Sequence, residues 1–297
     1  MSKPVLCLGL TPALQRVLCF EGFSRGEVNR VKTVRSAAAG KAINTAKVLS
    51  RLGIPSILCG FNGGSVGDKL HEFLAGVDVE DRMTRTVAET RICTTLIAGG
   101  EVTELVEEAS AVTSEEIRAL EQTALEALPE TTALVIAGTL PCWLPVHFYA
   151  RFVATARSLS IPVFIDSHRS PLQETLFARP YFVKMNRREL ALTECSAEDI
   201  IRRGAKNVLI TDGPYPAELH TADGVRVLKP PVLSSVVNPI GSGDSVTAGV
   251  VRSILIGKTL EEACIVGLAC GAANALSLLP GEFTSEQLAS LLEGKTI

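Results

Sequence analysis

The sequence predicts an α/β fold in which a mostly parallel sheet is covered by helices on both faces and carries a small β appendage. Three observations predict it. Short, continuously apolar runs alternate with amphipathic helical stretches, and strands that read as unbroken apolar runs are those buried on both faces. Two segments, of about 13–35 and 88–107, break that rhythm with the polar alternation of β-ribbons. No Pro/Gly/Ser-rich linker divides the chain, so one domain over 1–297 is expected.

Val5–Leu10 reads as a buried strand. Lys41–Leu52 is helical: Ile43, Ala46, Val48, Leu49 and Leu52 form one apolar face, and Gly53 closes it. A strand over Ser56–Gly60 and a helix over Val66–Leu74 follow. Thr90–Ile97, followed by Gly99-Gly100, has the pattern of a hairpin arm. Its partner ribbon contains Arg16-Val17-Leu18-Cys19-Phe20, too apolar to lie fully in water. Glu115–Leu128 is a helix and Ala133–Ala137 a strand. Pro145–Ser158 is a helix with Pro in its first turn. Pro162–Asp166, Tyr181–Lys184 and Asn207–Thr211 are strands, and helices over Ser242–Ile256 and Leu260–Leu279 end the chain.

Composition narrows the function. Hydrophobic residues are 46% and charged residues 21%, which excludes a disordered or fibrous chain. A formal net charge of -3 gives no bulk electrostatic case for nucleic acid or an anionic membrane. Met1–Pro4 opens no signal peptide. The most apolar stretch, Ala263–Leu279, contains Asn274 and Ser277 and falls short of the ~20 residues that span a bilayer. Eight scattered cysteines without a C-x-x-C pair suit reduced thiols and a cytoplasmic location. The four histidines, 71, 147, 168 and 220, have no paired metal spacing, and no G-x-S-x-G elbow supports a hydrolase.

Three segments can carry chemistry. In Asn238-Pro239-Ile240-Gly241-Ser242-Gly243-Asp244-Ser245 a Gly-x-Gly turn opens into a helix. Its free N–H groups suit an anion, and Asp244 then suits a base that takes a proton from a hydroxyl attacking a held phosphate. The local alternative is a glycine turn whose Asp compensates the helix dipole. Ala37-Ala38-Ala39-Gly40 reads as a small-residue turn before Lys41. It is no Walker A motif, since Arg35 and Ala42 stand where Gly and Ser or Thr are needed. A cation at a helix N-terminus opposes the dipole, so Lys41 is wanted by an anionic ligand or is simply solvated. Asn186 and Glu189, three apart at a helix start, suit a hydrated Mg²⁺ or a capping box.

In this order the segments resemble the PfkB branch of the ribokinase-like sugar kinases, of the 1-phosphofructokinase and tagatose-6-phosphate kinase type. The resemblance covers essentially the whole chain. It includes Leu10–Leu14, Arg25–Arg30, Ala39–Asn44, Gly60–Gly64, Thr90–Ile92, Gly138–Pro141, Asp166-Ser167, Val183–Leu190 and Gly241–Ser245. It implies a three-layer α/β/α sandwich with a β-sheet lid, often paired with a second lid in a homodimer. It implies ATP and Mg²⁺, and an acceptor of the fructose 1-phosphate or tagatose 6-phosphate type. By this resemblance Asp244 is the base, and Gly241, Ser242 and Gly243 supply N–H groups to the phosphoryl. Gln15, Gly40, Lys41, Asn44, Arg91 and Thr139 meet the sugar phosphate, with Lys41 and Arg91 neutralising its charge. Lys184, Asn186, Thr211, Gly213 and Asn274 meet the nucleotide, while Asn186 and Glu189 organise Mg²⁺ through water.

The departures cluster on the acceptor side. Gln15 stands where the family usually has Asp, and it lacks charge. Ala39 and Ala42 replace common glycines, Met185 a Pro, and Cys142-Trp143 a Pro-Gly. Thr103–Glu108 places carboxylates where a small-residue turn is usual. The alternatives are a kinase of another sugar or nucleoside, or a catalytically silent sugar- or nucleotide-binding protein.

Overall fold

The structure is a computed structural model that describes residues 3–294. A nine-stranded sheet runs in the spatial order Gly224–Leu228, Tyr215–Thr221, Val208–Asp212, Phe182–Asn186, Val163–Asp166, Ala133–Ala137, Val5–Leu8, Ser56–Cys59, Val79–Asp81. Tyr215–Thr221 pairs antiparallel with both of its neighbours, and every other pairing is parallel. Side chains alternate between faces with period two. Val5 and Cys7 therefore enter one core, and Leu6 and Leu8 the other. Helices Lys41–Arg51, Ser242–Leu255 and Leu260–Ala275 cover the first face. Ser114–Ala127, Ala150–Ser158 and Ala197–Arg203 cover the second.

Local chemistry sets the helix starts. Thr113 with Glu116, Thr259 with Glu262, and Thr284 with Gln287 form reciprocal capping boxes. The region read as one helix from Pro145 begins as tight turns instead. Phe148 N donates to Pro145 O and Ala150 N to His147 O, and the α-helix itself is Ala150–Ser158. The last long helix ends at Ala275 rather than Leu279, where Ser277 N donates to Asn274 O and the chain turns back.

A second sheet has the order Thr33–Ala39, Ala13–Phe20, Arg91–Ala98, Glu101–Val106. Ala37–Ala39, expected as a turn, are the end of its first strand. They pair with Gln15, Leu14 and Ala13, and the turn is made by Gly40 alone, at φ 118°. Val17 in the apolar ribbon is fully buried by its own chain, and Leu14 and Ala38 join the core with Leu70 and Leu74 of helix Gly64–Leu74. Among the described residues no helix is long and apolar enough to cross a membrane, and all eight cysteines are free.

Candidate active site

In an open parallel sheet, ligands gather beyond the C-terminal strand ends. A cavity of about 770 Å³ lies there, closed on one side by the second sheet. Gly241 adopts the left-handed φ of 85° that only glycine takes readily, and the helix Ser242–Leu255 starts from it. The N–H groups of Gly243 and Asp244 have no backbone partner, as expected in a first helical turn. Lys184 Nζ packs so closely on Gly243 that a Cβ there would sit 2.5 Å from it.

Asp244 lies in that first turn, 6% exposed. Asn44, on the helix Lys41–Arg51, donates from Nδ2 to Asp244 Oδ2 at 2.7 Å. Burial pushes the Asp244 carboxyl up to about 7, with the negative charge of Asp166 adding to it and Lys41, Lys184 and Asn44 opposing it.

Asp166, wholly buried at the end of the strand Val163–Asp166, is the hub. Its Oδ1 accepts from Lys41 Nζ at 2.8 Å. Its Oδ2 accepts from Lys184 Nζ at 2.8 Å and from Thr247 Oγ1 at 3.1 Å. Burial alone would raise its pKa, but the two ammonium groups overcome that and hold it well below the usual carboxylate range. Lys41 also donates to Glu189 Oε1 at 2.8 Å. These two carboxylates and Asp244 outweigh its burial and raise its pKa. Glu189 Oε2 accepts from Asn186 N, and Asn186 Oδ1 accepts from Glu189 N, so the capping box is present.

Residues 2–286 match the pfkB family carbohydrate kinase. This chain belongs to the PfkB family. It is thus a carbohydrate kinase, a phosphotransferase with an alcohol group as acceptor. It is 28% identical to a tagatose-6-phosphate kinase of Staphylococcus epidermidis, over 95% of this chain and 96% of that protein. Its fold is that of phosphofructokinase-2 from Escherichia coli in complex with fructose-6-phosphate, with a TM-score of 0.85, 23% identity and 99% of each chain covered. Arabidopsis thaliana ribokinase complexed with ribose and ATP shares the fold at a TM-score of 0.74 and 18% identity, again over 99% of each chain.

Within this PfkB chain, Gln15, Gly40, Lys41, Asn44, Arg91, Thr139, Lys184, Asn186, Glu189, Gly241, Gly243 and Asp244 all line the one cavity. Other expected residues do not. Ser242 N donates to Pro239 O at 3.1 Å, so its N–H is not offered to a ligand. Asn274 is fully buried and braces the turn from behind. Its Nδ2 donates to Ile240 O and Ser242 Oγ, and its Oδ1 accepts from Gly281 N. Thr211 and Gly213 sit at the end of Val208–Asp212, outside the cavity walls. Residues missed as site candidates include Asp166, Arg169, Glu104 and Glu108. An acid closing an otherwise apolar strand was the available signal for Asp166.

The acceptor side is the inner face of the second sheet. Gln15 Nε2 donates to Thr95 Oγ1 at 2.8 Å. Arg91 donates to Glu107 O and Thr11 O, and its Nε is buried without a partner among the described residues. Burial raises the pKa of Glu104, with Arg91 opposing it.

Proposed function

We propose that this kinase transfers the γ-phosphoryl of ATP to a hydroxyl of a phosphorylated ketohexose, of the fructose 1-phosphate or tagatose 6-phosphate type. The observation that carries the reading is Asp244: a buried carboxyl poised near neutrality, one residue past a Gly-x-Gly turn, in the cavity that holds Lys41 and Lys184. A base poised near the working pH takes a hydroxyl proton in the transition state yet remains ionised enough to do so. The acceptor hydroxyl gives its proton to Asp244, while the free N–H groups of the turn face the moving phosphoryl. Asn44 fixes the carboxylate. Lys41 and Arg91 meet the phosphate already on the sugar, and Gln15, Gly40 and Thr139 its hydroxyls. Lys184 meets the nucleotide phosphates, with Thr211 and Gly213 toward the base.

The residues suit a hydrated Mg²⁺. No group of three or more His, Cys, Asp or Glu side chains that could hold a metal ion exists among the described residues, whereas Asn186 and Glu189, joined by their capping box and with Glu189 also paired to Lys41, both line the cavity. Such a pair holds an ion that keeps its waters and arrives with phosphates. When bound, Mg²⁺ neutralises charge on the nucleotide. The second sheet acts as a lid and, with Val34 and Leu105 exposed on it, pairs with a second copy. Light scattering then gives twice the 31.5 kDa chain mass, and a monomer at every concentration rules the pairing out.

A second reading is a kinase of an unphosphorylated sugar or nucleoside. Lys41 is already bound by two carboxylates, and Glu104 and Glu108 add negative charge to the acceptor side. ADP release measured over a panel of free and phosphorylated sugars separates the two. Turnover confined to phosphorylated ketohexoses supports the first; turnover confined to neutral acceptors replaces it.

A further inference from the structure

Among the described non-glycine residues, Ser160, Arg169, Arg179 and Glu194 have left-handed φ. Only Arg169, at φ 62°, lines the large cavity. That conformation is costly for a residue with a Cβ, and an observed outlier in a site is a reason to ask what the side chain does there. The backbone is held in it from outside. Arg169 N donates to Thr193 Oγ1 at 3.0 Å, and Thr193 Oγ1 donates to Glu189 O at 2.7 Å. Gln173 Nε2 donates to Thr193 O at 2.9 Å, and Thr193 itself is buried. Arg169 is thereby tied to the short helix Arg187–Leu192 that carries Glu189.

The side chain is different. The other cations of the cavity are all engaged: Lys41 with Asp166 and Glu189, Lys184 with Asp166, and Arg91 with two backbone carbonyls. The guanidinium of Arg169 has no hydrogen bond and no ion pair among the described residues. Arg169 lies three residues beyond Asp166, the residue that joins Lys41 to Lys184, and it is an exposed residue lining the same cavity as those two lysines. An uncommitted planar fork above a cavity, on a backbone that is pinned, is arranged to take a bidentate oxyanion.

We propose that Arg169 is a phosphate-binding residue of this site, its guanidinium taking phosphoryl oxygens of a bound substrate. The proposal rests on the kinase reading above for the identity of that substrate, but not for the anion contact itself. The contact chemistry is shared by the nucleotide phosphates, the phosphoryl in transit and a phosphate already on the sugar.

The decisive variant is Arg169→Gly, because glycine relieves the backbone and removes the guanidinium together. Its thermal midpoint is expected at or above the parent's, while kcat/KM falls roughly 10–100-fold, the worth of a hydrogen bond to a charged group. Added guanidinium ion restores part of the activity, and Arg169→Lys retains part of it. A loss in the KM for ATP assigns the contact to the nucleotide, a loss in the acceptor KM to the sugar phosphate, and a loss in kcat to the transferred group. Inorganic phosphate provides a readout independent of turnover. It should raise the parent's thermal midpoint more than that of Arg169→Gly. If the panel finds no acceptor, the kinase reading fails while this phosphate difference still reports on Arg169. Equal phosphate shifts, or parent-like kcat and KM values in Arg169→Gly, overturn the proposal.

Discussion

The two walls of the cavity hold their charges in opposite ways. On the sheet side, Lys184, Asp166, Lys41 and Glu189 alternate in sign, and each contact is 2.8 Å long. On the lid side, Glu104 and Glu108 have no hydrogen bond or ion pair among the described residues, and Gln15 offers a neutral amide. A buried charge is tolerated only when paired, so the sheet side keeps its geometry with or without substrate. On the lid side only Arg91, itself held by two backbone carbonyls, opposes the charge of Glu104, without an ion pair between them. On the proposed reading, the phosphoryl-transfer residues and Lys41 reside in the rigid wall, and the remaining acceptor contacts are on the other.

The sharpest way to break this division is Asp244→Asn. With the base removed and its shape kept, turnover should fall roughly 10²–10⁴-fold while ATP still binds. An Asn variant with near-parental turnover sinks the assignment. Asp166→Asn should hurt the fold. It leaves Lys184 buried with no carboxylate, at a cost of about 3–5 kcal/mol. Denaturant titration reads this directly, and an unchanged midpoint would show that the hub carries no stability. The smallest effect belongs to the lid. Glu104→Gln should change the acceptor KM by less than about tenfold, the range of one exposed charged contact, and leave the KM for ATP alone. A larger effect on ATP than on the acceptor would erase the proposed split between the walls.

Much of the rigid wall was legible because its signals are local. Gly241, Gly243 and Asp244 form a turn-and-helix start, and Val5–Leu8 and Ala133–Ala137 are apolar runs with no other stable home. What stayed hidden depends on contacts between distant residues. Nothing near Lys41 in the chain says that its ammonium reaches Asp166, 125 residues away. The family resemblance implies that Asn274 meets the nucleotide, whereas packing turns its amide onto Ile240, Ser242 and Gly281. The edge hairpin Tyr215–Leu228 has a hairpin signal in Asp223-Gly224, but its strands interleave polar residues where Val5–Leu8 and Ala133–Ala137 are continuously apolar. Arg169 gave no sign either, since a left-handed φ at a non-glycine residue is imposed by its surroundings.

Asp244 also links the site to stability. Its raised pKa means that the stability present below the unfolded carboxylate value, about 3.9, is lost as pH rises through about 7. Asp244→Asn should accordingly melt above the parent at pH 8 and approach it toward pH 4. The same carboxyl gives the most direct test of the central claim, which is that it is the catalytic base. The pH dependence of kcat/KM should show an acid limb centred near 7, falling tenfold per pH unit below it as the base protonates. An acid limb centred near 4, or none between pH 5 and 8, would contradict the account.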